Sequence, residues 1–176
     1  MHSTDSRPIA LVGLMGAGKS ETARALSERL GVAAADLDAM IEAESGESVA
    51  QLFENPGEAW FRTREGELLS QALDARVGVV ACGGGVVLDP RHRALLRARC
   101  RVVWLEVDPA EAARRVACDG ATRPLLAGAP ASDRLAELLA TRRALYEEVA
   151  ALRVPTDGLS PGQVADAILA ALKGSS

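Results

Sequence analysis

The sequence predicts an α/β fold of three layers, in which a five-stranded parallel sheet is flanked by helices and one end carries a mobile lid. Three observations lead there. Short apolar runs alternate along the chain with segments of helical periodicity, the pattern of parallel strands joined by crossover helices. The first run, Ile9-Ala10-Leu11-Val12, leads into Gly13-Leu14-Met15-Gly16-Ala17-Gly18-Lys19-Ser20, which fits the phosphate-loop pattern G-x-x-x-x-G-K-[ST] in its strand-to-helix setting. The stretch from Asp119 to Ala131 then breaks the rhythm with two glycines and two prolines, as a lid between two helices would.

The elements follow in order. Ala23, Leu26 and Leu30 recur at helical spacing in the first helix, and Gly31 stops it. Val32 to Leu37 reads as a second strand ending in Asp36-Leu37-Asp38. Two short helices follow, Ala39 to Glu44 closed by Gly46, and Ser48 to Phe53 ended by Asn55-Pro56-Gly57. Glu58 to about Leu73 is a longer helix with Phe61, Leu68, Leu69 and Ala72 on one side. Val77 to Cys82 is a buried-type strand delivered into Gly83-Gly84-Gly85, and Pro90 to Ala98 is helical. Arg101 to Val107 is the fourth strand; Asp108-Pro109 then supplies an N-cap and a first-turn proline for the next helix. Ser132 to Ala151 is the longest helix, Leu152 to Pro155 a weak fifth strand, and Ser160-Pro161 opens a last helix with Val164, Ile168 and Leu172 facing inward. No linker or repeat divides the chain, so one domain is expected, with a core over about 8–173, a lid over about 119–131 and a polar lead-in over 1–7.

Composition narrows the function. A net charge of −4, spread in small mixed groups, disfavours nucleic acid as a partner, and 3% aromatic residues leave little for stacking bases. No run is long and apolar enough for a membrane span, and the polar start is expected to be no signal peptide. Cys82, Cys100 and Cys118 are three widely spaced cysteines, which suit free thiols in a cytoplasmic protein better than zinc or a disulfide framework.

Chemistry gathers where strands end, since ligands of such folds collect beyond the carboxyl ends. Four segments belong there: the phosphate loop, Asp36-Leu37-Asp38, Gly83-Gly84-Gly85 and Thr156-Asp157-Gly158. In the loop, backbone N–H groups and the helix N-terminus would receive phosphate, Lys19 would reach the β- and γ-phosphates, and Ser20 would sit on Mg²⁺. Asp36 and Asp38, two apart in an extended segment, would face one cleft, one toward Mg²⁺-bound water and one toward a substrate hydroxyl; either could instead cap a helix. No acidic residue follows the third strand in the usual metal-holding position, which leaves Asp36 nearest the metal. The glycine triplet offers close backbone approach and N–H groups. On the long helix, Arg142 falls within the stripe of Leu135, Leu138, Leu145 and Val149 and needs an anionic partner, whereas Arg143 points away as a solvated charge. Glu65, on the apolar side with Phe61 and Leu68, is placed to hold Arg62.

Taken together these residues resemble the shikimate kinase family over Ile9 to Leu172. The likeness rests on the phosphate loop, Asp36-Leu37-Asp38 with Ile41-Glu42, Phe53, Gly57-Glu58-Ala59-Trp60-Phe61-Arg62-Thr63-Arg64-Glu65, the glycine triplet, Arg123-Pro124-Leu125-Leu126, and Arg142 four residues before Tyr146. It implies a nucleoside-monophosphate-kinase-like P-loop kinase fold and transfer of the ATP γ-phosphate to the 3-hydroxyl of shikimate, with Mg²⁺ as cofactor, by a cytoplasmic enzyme expected to be a monomer. It implies catalytic roles for Lys19, Asp38 and Arg123, with shikimate bound by Asp38, Arg62, Gly83, Gly84, Gly85 and Arg142. Nucleotide would fall to Gly16, Ala17, Gly18, Lys19, Ser20, Glu21, Arg115, Arg123, Thr156 and Pro161, and metal to Ser20 and, through water, Asp36. Cys82 departs from the small hydroxyl residue frequent before the glycines, which should alter local hydrogen bonding and not the reaction. A gluconate or nucleoside-monophosphate kinase would share the phosphate loop but lack the Asp38, Arg62 and Arg142 set. A guanine-nucleotide switch would need N-K-x-D and D-x-x-G segments, and the sequence has neither.

Overall fold

The computed structural model describes residues 6–119 and 126–174. Five parallel strands form one sheet in the order β2-β3-β1-β4-β5, where β1 is Ile9–Val12, β2 Ala34–Asp36, β3 Val79–Ala81, β4 Arg101–Glu106 and β5 Leu152–Pro155. Every residue of β1 and β3 is buried, because both faces of a parallel sheet are covered by the helices that connect its strands. Register follows from continuous pairing: Ile9 lies opposite Val79 on one side of β1 and Arg101 on the other, and Val12 lies opposite Trp104. The central strand therefore delivers the phosphate loop to the middle of the sheet's carboxyl edge.

The helices are α1 (Lys19–Leu30), α2 (Leu37–Ser45), α3 (Val49–Leu52), α4 (Glu58–Asp74), α5 (Pro90–Arg99), α6 (Pro109–Asp119), α7 (Ala131–Val149) and α8 (Pro161–Gly174). Their ends obey the expected chemistry. Gly31 and Gly46 close α1 and α2 in left-handed conformation, and Ser48 with Gln51 forms a capping box at α3. The Asp108 side chain accepts from Ala110 N at 2.8 Å ahead of Pro109. Among the described residues no helix is long and apolar enough to cross a membrane.

Two boundaries differ from the sequence expectation. The second strand is shorter, pairing only over Ala34–Asp36 as the outermost strand of the sheet. Leu37 is fully buried as the first residue of α2, so Asp38 projects from a helical turn and not from an extended segment. The third strand likewise is regular only over Val79–Ala81, although Gly78 and Cys82 at its flanks still hydrogen-bond across to Ile9, Ala33 and Leu11. Residues 120–125 of the proposed lid lie outside the described chain, and Arg123 is among them.

Candidate active site

A cavity of about 480 Å³ opens at the carboxyl edge of the sheet, lined by Gly16 to Thr22, Asp36, Asp38, Phe53, Phe61, Arg62, Cys82 to Gly85, Arg114, Arg115, Arg142, Thr156 and Pro161 among others. All four segments expected at strand ends thus supply residues to one cleft.

The phosphate loop is shaped by two contacts. Gly16 has φ +80°, and a Cβ there would lie 2.7 Å from the Ala112 carbonyl of α6; Gly13 has φ +142° and would press on the Leu105 carbonyl. Glycine is required at both by conformation and by space. Lys19 Nζ donates to the Gly13 and Leu14 carbonyls at 2.9 and 2.8 Å, which folds the ammonium over the loop. Glu21 stands in the first turn of α1 and lines the same cavity.

Asp36 does two jobs. One oxygen accepts from Ala39 N at 3.2 Å as the N-cap of α2, and the other accepts from the Ser20 hydroxyl. The capping and metal-side readings are therefore compatible. The chemistry of this donor pair fits Mg²⁺: two hard oxygens at the phosphate loop suit an ion that keeps several waters and takes its remaining ligands from phosphates. Among the described residues no cluster of three or more acidic, histidine or cysteine side chains offers a cage of its own.

Asp38 is half-buried, with its Oδ1 turned inward. Burial raises its carboxyl pKa, Lys19 works against that, and Asp36 adds to it. Its Oδ1 is buried without a hydrogen-bond partner, as is Oε1 of Glu65. Both oxygens face Gly83, where a Cβ would come 2.9 Å from Asp38 Oδ1 and 2.5 Å from Glu65 Oε1. The rest of the triplet follows suit: a Cβ on Gly84 would lie 3.6 Å from Arg142 Nη1, and one on Gly85 only 2.2 Å from Arg62 Nη2. None of the three has positive φ. Gly83 and Gly85 are glycine because site side chains press against them, and Gly84 because the phosphate-loop backbone does, with the Gly13 carbonyl 3.3 Å from where its Cβ would lie; no unusual backbone conformation is involved.

Arg62 is held as the sequence suggests. Its Nη1 donates to Glu65 Oε2 at 2.7 Å, with Glu58 more distant at 3.4 Å. Phe53 and Phe61 cradle the guanidinium, with ring centroids 5.5 and 5.2 Å from Cζ. Glu65 is fully buried; desolvation pushes its pKa up to about 7 against the pull of Arg62.

Arg142 is 5% exposed on the inward face of α7. The buried residues of that face are Leu135, Leu139, Arg142, Tyr146 and Val149, while Leu138 and Leu145 pack at its flank. The stripe is thus rotated toward Leu139 and Tyr146, because Tyr146 reaches Gly84. Arg143 does point away, yet it is no free surface charge: it lies over Trp104, 5.6 Å from the ring centroid, and 3.6 Å from Glu106.

On the other flank of β1, Arg115 ties the cleft together. Nη1 donates to Gly16 O at 3.3 Å and Thr156 Oγ1 at 3.2 Å, Nη2 to Thr156 O at 2.8 Å, and Nε to Glu111 at 2.7 Å. Pro161 opens α8 beside it. Sequence reasoning passed over the aromatic cradle of Arg62, the Gly16–Ala112 contact and the placement of Tyr146. Only Tyr146 carried a signal, as a hydroxyl on the apolar face of a helix. Cys82 is buried, and its thiol pKa is driven well up by desolvation.

A profile of the shikimate kinase family matches residues 15–173. The chain is 47% identical over 164 residues to a shikimate kinase of Thermobifida fusca, spanning 93% of this chain and 94% of that one. It is 46% identical to a shikimate kinase of Streptomyces coelicolor over 94% and 95% of the two chains. Its fold superposes with TM-score 0.91 on a shikimate kinase from Acinetobacter baumannii in complex with shikimate, at 34% identity and over 98% and 96% of the two chains.

Proposed function

The chain belongs to the shikimate kinase family, and from that premise we propose that it transfers the γ-phosphate of ATP to the 3-hydroxyl of shikimate, giving shikimate 3-phosphate and ADP. The observation that carries this reading is the shared cavity, in which a phosphate loop meets Asp38, Arg62 and Arg142. A carboxylated, polyhydroxylated acceptor suits such a site: guanidinium groups for its acid, a half-buried carboxylate and glycine backbone for its hydroxyls.

In the reaction, the acceptor oxygen forms a bond to the γ-phosphorus while the bond from that phosphorus to the β-bridging oxygen breaks, and ADP leaves with the electron pair. The hydroxyl proton passes to Asp38, whose burial strengthens it as a base while Lys19 keeps it ionisable. Arg62, fixed by Glu65, and Arg142 bind the acceptor's carboxylate and aim its hydroxyl. Gly83 to Gly85 let the acceptor and both arginines approach the backbone. Lys19 and the N–H groups of Gly16, Ala17, Gly18 and Ser20 stabilise charge on the phosphates, with Glu21 at the rim. Ser20 and, through water, Asp36 would hold Mg²⁺, which when bound supplies charge neutralisation at the β- and γ-phosphates. Arg115, Thr156 and Pro161 flank the nucleotide base. Arg123, proposed from sequence alone, would reach the phosphates from the lid.

The enzyme is proposed to act as a cytoplasmic monomer: one chain supplies every group named, and the three cysteines are free. A coupled assay of ADP formation with and without shikimate tests the reading. Turnover should depend on shikimate and not on gluconate or nucleoside monophosphates; nucleotide binding without shikimate-dependent turnover would overturn it.

A further inference from the structure

The catalytic scheme leaves the buried hydroxyl of α7 unused. Tyr146, the sole tyrosine of the chain, is fully buried on α7 one turn beyond Arg142. Its Oη donates to the Gly84 carbonyl at 2.6 Å. Burial pushes the phenol's pKa up to about 12, with the nearby Arg142 charge working against it. The phenol therefore keeps its proton at any working pH and stays a donor to Gly84.

The ring beneath that hydroxyl has little freedom. It stacks on Trp104, with centroids 5.6 Å apart and planes 25° apart, and Trp104 sits on β4 directly opposite Val12 of β1. Gly84 itself is wedged between two parts of the site: a Cβ there would lie 3.3 Å from the Gly13 carbonyl of the phosphate loop and 3.6 Å from Arg142. One hydroxyl, anchored to the sheet, thus sets the peptide that separates the phosphate loop from the arginine meant for the acceptor's acid group.

We propose that Tyr146 is a positioning residue for acceptor binding, whose hydroxyl fixes the Gly84 peptide against which the Arg142 guanidinium rests and so determines affinity for the acceptor's carboxylate. This rests on the activity proposed above. A side chain that only filled the core would leave acceptor affinity unchanged once its ring volume was preserved; a positioning hydroxyl does not.

The test is Tyr146→Phe, which keeps the ring and its stacking. Steady-state kinetics should show the KM for shikimate raised roughly fivefold, the size expected for one buried hydrogen bond near 1 kcal/mol. The KM for ATP should stay within about twofold. An acceptor analogue lacking the carboxylate should show a much smaller penalty in the variant. A second measurement keeps the hydroxyl: with 3-fluorotyrosine at this single position, the one ¹⁹F resonance should move on addition of shikimate and hold still on addition of ADP. Unchanged shikimate KM in Tyr146→Phe, parallel rises in both KM values, or a ¹⁹F resonance indifferent to shikimate would overturn the inference alone. Absence of shikimate-dependent turnover in the wild type would overturn the activity and this inference together.

Discussion

The imidazole of His92 occupies the space that a side chain on Gly66 would take: a Cβ at position 66 would lie 2.2 Å from its Nε2 and 2.8 Å from its Cδ2. Glycine in mid-helix ordinarily costs about 1 kcal/mol against alanine. Here the cost is offset, because the missing methyl lets α5 close on α4 and seats His92 behind Glu65, with Nδ1 4.0 Å from Oε2. Gly66→Ala should therefore destabilise the fold, by about 1–3 kcal/mol as for other overpacked cores. Denaturant unfolding checks this, and a variant as stable as the wild type would mean that the two helices separate freely.

Glu65 gives a pH prediction with a definite sign. Its folded pKa is raised from 4.5 to about 7 by burial. A carboxyl that binds its proton more tightly when folded contributes stability that is fully present below the unfolded value and lost as pH rises through the folded one. Stability attributable to Glu65 should therefore decline between about pH 4.5 and 7. Glu65→Gln should flatten that part of the curve while leaving an amide oxygen for Arg62. An unaltered slope in the variant would place the titration elsewhere.

Asp38→Asn retains size and some hydrogen bonding but cannot take up a proton at neutral pH. The expected outcome is a fall in kcat of at least about 100-fold with little change in the KM for ATP. Should kcat hold while the shikimate KM alone rises, Asp38 would be an aiming group and the proton would leave by another route.

Arg142 and Arg143 differ by one position and should differ sharply in effect. Arg142→Ala should cost about 2–3 kcal/mol of acceptor interaction, read as a fall in kcat/KM of roughly 30- to 150-fold. Arg143→Ala should leave kinetics nearly intact and cost about 0.5–1 kcal/mol of stability, since its guanidinium lies over Trp104 beside Glu106. Kinetic damage of equal size in both variants would refute the assignment of the inward arginine.

Much of this was legible in the residues. Periodicity and the phosphate-loop pattern place all five strands and the cleft, because covered parallel strands must be apolar and loops at their ends must carry the chemistry. The pairing of Arg62 with Glu65 follows from a three-residue helical spacing. What sequence hides is what stands opposite a residue. Gly83 to Gly85 read only as a place for close backbone approach until Glu65, the Gly13 carbonyl and Arg62 are seen standing nearest to each in turn. Asp38 looks extended because helix α2 starts on buried Leu37, which reads equally well as a strand end. The apolar stripe of α7 is misjudged because leucines at 138 and 145 outweigh a tyrosine whose partner is 62 residues away.

The order of visits along the chain has a consequence for how the protein can be cut. The backbone reaches the nucleotide flank with its phosphate loop, crosses to the acceptor flank for Asp38 through Gly85, returns with Arg115, crosses again for Arg142 and Tyr146, and comes back at Thr156. A break in the turn between α5 and β4 therefore leaves two fragments, neither of which owns a whole pocket for either substrate. Reassociated through the pairing of β1 with β4, such fragments would regain phosphoryl transfer as a unit, so that activity would report reassembly of the sheet itself.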